Sequence, residues 1–124
     1  MIKGSFTVSG IDVDKMIIGS LRVNARAMCK EENNGTIIIV ADEFNSNMWA
    51  AAALSHTVII KPSPDNKAMA LVTVLTAGGN ESVLSTGSLE QKAQKELFQK
   101  IEELLERNNY SWSPLVQEKI TKQF

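Results

Sequence analysis

The chain has 124 residues, of which 44% are hydrophobic and 22% are charged, and its formal net charge is −1. This composition is typical of a globular domain rather than a disordered chain, and balanced charge argues against a general attraction to nucleic acid or to an anionic membrane. We therefore expect one domain with one hydrophobic core, with neither nucleic acid nor a membrane among its partners.

Cysteine usage and the apolar runs bear on the compartment. Cys29 is the single cysteine, which excludes an internal disulfide, and small domains of oxidising compartments commonly depend on disulfides. The first ten residues alternate polar and apolar side chains instead of forming the apolar run of a signal peptide. The longest apolar block, 48–54, is much shorter than the roughly 18 residues that a membrane span requires. These features predict a cytoplasmic protein.

The first third of the chain predicts a strand, a helix and a hairpin. Alternation over 2–8 indicates a half-buried strand, and Asp12 is placed to cap a helix that follows. Apolar residues recur in that helix at three- and four-residue spacing, at Val13, Met16, Ile17 and Leu21. Alternation returns over 25–30, and Asn34-Gly35 is the dipeptide that suits positive φ at both central positions of a type I′ turn.

Strands dominate the middle of the chain. The β-branched run 36–41 indicates a strand that is buried on both faces or covered by a partner. Residues 45–53 suit a short helix as well as a strand, because alanine favours helices while strand-like alternation begins at Leu54. Two prolines within 62–67 predict a loop that joins antiparallel strands. Further strands are predicted over 53–61, 68–77 and, at an edge, 83–85.

The strongest pattern is a long helix that opens at Ser88, where Ser88 and Gln91 match a capping box. Six apolar residues form one face of it: Ala93, Leu97, Phe98, Ile101, Leu104 and Leu105. Asn108-Asn109 is expected to end the helix through a residue in the left-handed conformation. In the tail, Ser113-Pro114 predicts the start of a short helix.

These elements predict an α+β fold in which an antiparallel sheet of about four to six strands carries an N-terminal helix and a long C-terminal helix on one face. The predicted domain covers residues 1–109, and the tail, 110–124, packs on the domain or on a partner. The element order over about residues 2–107 resembles that of helix-grip-type domains. That resemblance implies a pocket between the sheet and the long helix.

Few residues offer catalytic chemistry. His56 is the single histidine, which excludes a metal site with several imidazoles. His56 and Cys29, oriented by Asp42 or Glu43, have the elements of a base and a nucleophile. We favour the simpler interpretation, in which Cys29 is a small core hydrophobe and His56 an ordinary strand residue. Neighbouring strand residues point to opposite sides, so Asp42 and Glu43 do not predict an acid–base pair. We expect no catalytic set, no metal and no cofactor.

Apolar surface is the feature that most directly indicates a function. The strands 36–41 and 68–77 are apolar on both faces, and two helices from one chain cover only one of them. A homodimer or an apolar small molecule would cover the other face, unless the C-terminal tail folds back over it. We therefore expect a non-enzymatic domain that binds a small ligand or a protein, most simply as a homodimer.

Seven residues are the candidates for lining a pocket: Met48, Trp49, His56, Leu71, Leu97, Phe98 and Ile101. The alternative function is that of a small cofactor-free enzyme with a helix-grip-like pocket, using His56 or a carboxylate as its reactive group.

Overall fold

The computed structural model describes residues 1–46, 51–66, 68–78 and 88–122. Its elements, in chain order, are β1 (Ile2–Ser9), α1 (Val13–Arg22), β2 (Ala25–Asn33), β3 (Thr36–Ser46), β4 (Ala51–Pro62), β5 (Met69–Gly78), α2 (Ser88–Arg107), β6 (Ser111–Trp112) and β7 (Val116–Lys119).

The strands form one antiparallel sheet in the order β2-β3-β4-β5-β1, and β6 and β7 both pair with the far edge of β1. The predicted α+β class is confirmed, and the sheet has seven strands among the described residues because the tail contributes two of them.

The core lies between one face of the sheet and the two helices. Side chains on the inner face of the strands meet Ile17 of α1 and Ile101 and Leu105 of α2, all three with 0% exposure. The rings of Phe6 and Phe98 pack at 4.9 Å between centroids and join β1 to α2. Burial of large apolar side chains supplies the dominant favourable free energy of such a fold.

The start of α1 differs from the prediction. Asp12 takes a left-handed conformation with φ of 60° and makes no capping hydrogen bond with its side chain. The prediction of a side-chain cap is wrong, because that contact requires an extended backbone at the capping residue. Instead, the Asp12 carbonyl accepts a hydrogen bond from the Lys15 N–H at 3.1 Å.

Two hairpins join β2, β3 and β4. Asn34 and Gly35 have φ values of 52° and 84° between the paired residues Asn33 and Thr36, which confirms the predicted turn with two positive φ angles. Residues 45–53 suit either a helix or a strand by sequence. In the structure, β3 continues to Ser46 and pairs with β4 from Ala51 onward. Ladder pairing with a neighbouring strand therefore overrides the helix propensity of alanine. Residues 47–50 and the predicted edge strand 83–85 lie outside the described residues.

The C-terminal end of α2 follows the predicted pattern. Asn109 has a φ of 60°. The Tyr110 N–H donates to the Leu105 carbonyl at 2.9 Å and the Asn109 N–H to the Glu106 carbonyl at 3.1 Å. These two bonds form a Schellman motif, in which a left-handed residue turns the chain and satisfies helix carbonyls.

The tail forms strands, so the predicted short helix is wrong. β6 and β7 pair with β1, whose outer edge would otherwise leave its backbone groups unpaired. Ser113 supports this pairing rather than capping a helix: its N–H donates to the Thr7 carbonyl at 2.9 Å, and its hydroxyl accepts from the Thr7 N–H at 2.8 Å. The tail therefore extends the sheet at its edge.

The outer face of the sheet carries exposed apolar side chains in the described part of the chain. Ile38 and Val40 are each 38% exposed, Leu71 is 45% exposed and Val116 is 65% exposed. Their strand neighbours Ile39 and Val72 are fully buried on the helix side. The run 36–41 is thus buried on one face, and its second face stays accessible. Among the described helices, none is both long and apolar enough to cross a membrane.

Candidate functional site

Hydrogen-bonded polar side chains cross the core between β4, β5 and α2. Gln94, Thr76 and His56 are each at most 1% exposed. Gln94 Nε2 lies 3.1 Å from Thr76 Oγ1, and Thr76 Oγ1 lies 2.8 Å from His56 Nδ1. Because a buried polar atom is costly unless it is paired, these contacts offset the cost of placing three polar side chains in an apolar interior. We call this set the buried polar chain.

Strand register and a glycine place the buried polar chain. His56 and Thr76 are direct partners in the β4–β5 ladder, on the face that carries the buried Val58 and Val74. On β1, a Cβ atom at Gly4 would overlap the Gln94 side chain. Glycine is unfavourable inside a strand, and here its missing side chain leaves the space that Gln94 occupies.

Gln94 connects four elements of the fold. Its Nε2 lies 3.2 Å from the Ile2 carbonyl oxygen and 3.0 Å from that of Val74, and its Oε1 accepts a hydrogen bond from Gln117 Nε2 at 3.0 Å. Carbonyl oxygens accept and cannot donate, which determines the orientation of the Gln94 amide. Helix α2 and strands β1, β5 and β7 therefore meet at one side chain.

The hydrogen bonds also indicate which nitrogen of the His56 ring carries the hydrogen when the ring is neutral. The Gln94 amide nitrogen has two hydrogens to donate and three acceptors within reach, the Ile2 and Val74 carbonyl oxygens and Thr76 Oγ1. In the arrangement where Thr76 Oγ1 accepts one of them, the threonine hydrogen is free to donate to His56 Nδ1. The hydrogen of the neutral ring then lies on Nε2. In this assigned tautomer, the ring hydrogen is on the nitrogen that lies 3.3 Å from the Glu43 carboxylate.

Glu43 contacts the buried polar chain at its His56 end. Its Oε1 lies 3.3 Å from His56 Nε2, and its side chain is 13% exposed. His56 Nε2 makes no hydrogen bond of good angular geometry. The two groups are therefore within ion-pair distance but are not joined by a well-aligned hydrogen bond. The contact with His56 lowers the pKa of the Glu43 carboxyl below its ordinary 4.5. The charge of His56, when the ring is protonated, and the charge of Lys100 act in the same direction, while burial opposes the change.

A cleft of about 260 Å³ opens beside Glu43. It lies where the end of α1, the last part of β3 and the middle of α2 come together. Its lining residues are Ser20, Asn24, Glu43, Phe44, Ala93, Glu96, Leu97 and Lys100. Most of the lining is polar, with charges of both signs, and the apolar contribution comes from Phe44, Ala93 and Leu97.

Lys100 is the cation of this cleft. Glu96 stands four residues earlier on α2, a spacing at which opposite charges can pair. Among the described residues, no carboxylate lies within ion-pair distance of Lys100. Lys100, Glu43 and Glu96 therefore line one cleft, and Lys100 forms no ion pair with either glutamate.

The predicted pocket residues do not form a single pocket. Leu97, Phe98 and Ile101 lie together on the inner face of α2, where Leu97 also lines the cleft. His56 lies behind Glu43 rather than in the lining. Leu71 lies on the outer face of the sheet, away from the helices. Met48 and Trp49, also predicted to line the pocket, lie outside the described residues.

The alternative pairing of Cys29 with His56 is not formed. Cys29 is exposed and pairs in the ladder with Val40, whose side chain lies on the outer face. His56 pairs with Ala41 on the inner face. The sheet separates the two side chains, because consecutive strand residues point to opposite faces. The interpretation of Cys29 as a core residue is also wrong.

Several residues of this site escaped the sequence analysis, although a signal was present. Gln94 lies three and four residues before Leu97 and Phe98, and therefore on the apolar face of α2. Thr76 likewise follows Val72 and Val74 at two-residue spacing. A polar residue at an inward position of a regular pattern marks a buried hydrogen-bonding group. The partners of these groups come from distant parts of the chain and carry no such signal.

The described residues contain no group of three or more histidine, cysteine, aspartate or glutamate side chains arranged to hold a metal ion. No protein-family model matches the sequence, and no curated protein matches it.

Proposed function

We propose that this protein is a non-enzymatic domain that binds a small polar ligand in the cleft between α1, α2 and β3. The observation that carries the proposal is that an ionisable residue of the cleft lining, Glu43, lies against buried side chains that hold it in place. Glu43 offers a carboxylate whose pKa is lowered, and behind it stand His56 and Thr76, which have no exposed surface. A charged group held by rigid neighbours loses little conformational freedom when it binds a ligand.

A polar ligand suits this cleft better than the apolar molecule expected from the sequence. Charged, amide and hydroxyl side chains line most of it, and they would lose hydration without gaining partners if a hydrocarbon displaced their water. The apolar side chains Phe44 and Leu97 provide contact for a short carbon skeleton.

Thermal melting in the presence of small polar compounds at millimolar concentration tests the ligand proposal. A bound compound raises the melting temperature by mass action. We expect the rise to disappear in Glu43→Gln and Lys100→Met and to persist in Lys95→Met, an exposed α2 lysine outside the cleft lining. The proposal fails if no compound stabilises the protein, or if every stabilising compound raises the melting temperature of both cleft variants as much as that of wild type.

We also propose that the protein is a homodimer in which the outer sheet faces of two copies pack together. Exposed Ile38 and Val40 on β3 and exposed Leu71 on β5, the two strands that flank β4, support this proposal. Several exposed apolar side chains on one sheet face are typical of interaction sites. Packing of sheets face to face is a common way to bury them.

Sedimentation equilibrium tests the dimer. We expect a mass twice the 13.6 kDa of one chain, and a monomer for Val40→Lys, which places a charge on the outer face. Val23→Lys is the matched control, because Val23 is an exposed apolar residue at the end of α1. A wild-type monomer at about 100 µM, well above the Kd of a stable dimer, would contradict the proposal.

The second candidate function is that of a cofactor-free enzyme using the same cleft. The order carboxylate, imidazole and hydroxyl in Glu43, His56 and Thr76 favours it. Because Thr76 and His56 are buried, Glu43 would be the general base and His56 would position it. Mass spectrometry of each stabilising compound after incubation separates the two functions. A product formed by wild type, and not by a Glu43→Gln variant that still binds the compound, favours the enzyme.

A further inference from the structure

The charges of the cleft restrict the class of ligand. Glu43 and Glu96 would attract a cation, and Lys100 would repel it. An anion would be attracted by Lys100 and repelled by the two glutamates. A neutral molecule would leave all three charges to be satisfied by water. A ligand with one charge of each sign can satisfy both kinds of group at once, provided that its charges are separated as those of the cleft are.

The size of the cleft restricts the ligand further. Pockets for drug-sized molecules hold roughly 300–1,000 Å³, and this cleft measures about 260 Å³. The ligand is therefore a small molecule. The apolar side chains Phe44, Ala93 and Leu97 share the cleft with the charged groups, so that a short aliphatic chain between the two charges has apolar contacts.

We infer that the cleft binds a small zwitterion of the amino-acid class, with its ammonium group at Glu43 and Glu96 and its carboxylate at Lys100. This inference rests on the proposed ligand-binding function and specifies its ligand. Glu43 is the better defined of the two anionic groups, because His56 contacts it from the buried side at 3.3 Å. Lys100 is free to take the ligand carboxylate, since no carboxylate of the described residues pairs with it.

Calorimetric titration with matched probes tests the inference. The zwitterions are glycine, β-alanine, 4-aminobutyrate and 6-aminohexanoate, which vary the separation of the charges, together with a set of α-amino acids. Butylamine and butyrate carry one charge each at similar size. We expect the best zwitterion to bind at least ten-fold more tightly than either single-charge compound.

Two variants assign the ends of the ligand. Lys100→Met is expected to reduce the affinity of the zwitterion to about that of butylamine while leaving butylamine binding unweakened. Glu43→Gln is expected to reduce it to about that of butyrate. Lys95→Met, on the same helix and outside the cleft lining, should bind as wild type does. The Lys100→Met arm keeps the test valid if Glu43→Gln does not fold, since Lys100 is outside the buried core.

The outcomes separate this inference from the function on which it rests. If butylamine binds as tightly as every zwitterion, or if Lys100→Met leaves zwitterion affinity unchanged, the ligand class is wrong. The ligand class is also wrong if no zwitterion binds while another polar compound stabilises the protein in a Glu43-dependent way; in that case the binding function stands. If no compound of either set binds, the function and the inference both fail.

Discussion

Thr76 Oγ1 lies 2.8 Å from Nδ1 of His56 on the neighbouring strand, and neither side chain is exposed to solvent. The pair lies in a largely apolar interior, between the sheet and α2. Gln94 contacts Thr76 from the helix, and Glu43 contacts His56 from the cleft. The same contacts therefore serve the stability of the core and the position of the carboxylate at the candidate site.

Replacing Thr76 with valine tests the buried polar chain. The change preserves the shape of the side chain and removes the hydroxyl, which leaves His56 Nδ1 and one donor of Gln94 with fewer partners. We expect a loss of about 1–3 kcal/mol in the free energy of unfolding, the usual cost of an unsatisfied buried polar group. Urea denaturation measures it. Thr73→Val, on the outer face of the same strand, should change stability by less than about 0.5 kcal/mol. Equal effects at both positions would contradict the assignment.

Stability should depend on pH through Glu43. Contact with His56 lowers the pKa of its carboxyl in the folded protein below the ordinary 4.5. The unfolded chain therefore binds more protons between the two pKa values, and the contribution of Glu43 is present above about pH 5 and is lost as the pH falls through the folded pKa.

Urea denaturation of wild type and Glu43→Gln at a series of pH values measures this contribution. We expect the difference in free energy of unfolding between them to be largest near neutral pH and to shrink below about pH 4.5. A difference that stays constant between pH 3 and 7 would rule out the assigned contact.

Two glycine substitutions should act in opposite directions. In Gly4→Ala, the new Cβ overlaps Gln94, which is held by hydrogen bonds on several sides. We expect a loss of about 1–3 kcal/mol, as for other overpacked core positions. At Gly19, on the exposed side of α1, the nearest atom to a new Cβ is Leu104 Cδ1 at 3.9 Å. Gly19→Ala should stabilise the protein by about 0.5–1 kcal/mol. Chemical denaturation measures the free energy of unfolding of both variants. A change of the same sign in both would be inconsistent with the packing described.

The end of α2 offers a test of backbone conformation. Asn109 has a φ of 60°, where a residue with a Cβ is strained and glycine is not. We expect Asn109→Ala to reduce the free energy of unfolding by about 1 kcal/mol, and Asn109→Gly to leave it unchanged or to raise it slightly. Thermal or urea unfolding of the pair gives the comparison, and an alanine variant as stable as the glycine variant would show that the left-handed turn is not maintained.

Much of the fold could be predicted from local patterns. The type I′ turn at Asn34-Gly35 and the helix end at Asn108-Asn109 depend on the φ angles that individual residues adopt, and both are found. The apolar face of α2 follows from its helical spacing, and Ile101 and Leu105 are fully buried. In each case the determining interaction spans only a few residues, so the sequence contains it.

Local patterns predict the structure poorly wherever the interacting residues are distant in sequence. Ser113-Pro114 predicts a helix in the tail, whereas the free edge of β1 binds the tail as strands. The sequence allows a pair of Cys29 and His56, but strand register places them on opposite faces. For the candidate site, the sequence names His56, with Asp42 or Glu43 as the residue that orients it, and the structure places Glu43 beside the ring. The contacts of Thr76 with His56 and Gln94 depend on strand register and helix packing.

By itself, the sequence determined the α+β class, the positions of most strands and both helices, and the presence of apolar strand faces beyond what the helices can cover. These properties follow from periodicity, turn chemistry and composition, which act over a few residues or over the chain as a whole. Tertiary structure alone decided that Glu43, His56, Thr76 and Gln94 form one connected set beside a polar cleft. Their contacts join β3, β4, β5 and α2. Contacts between such distant segments depend on strand register and helix packing, and the local sequence pattern determines neither of them.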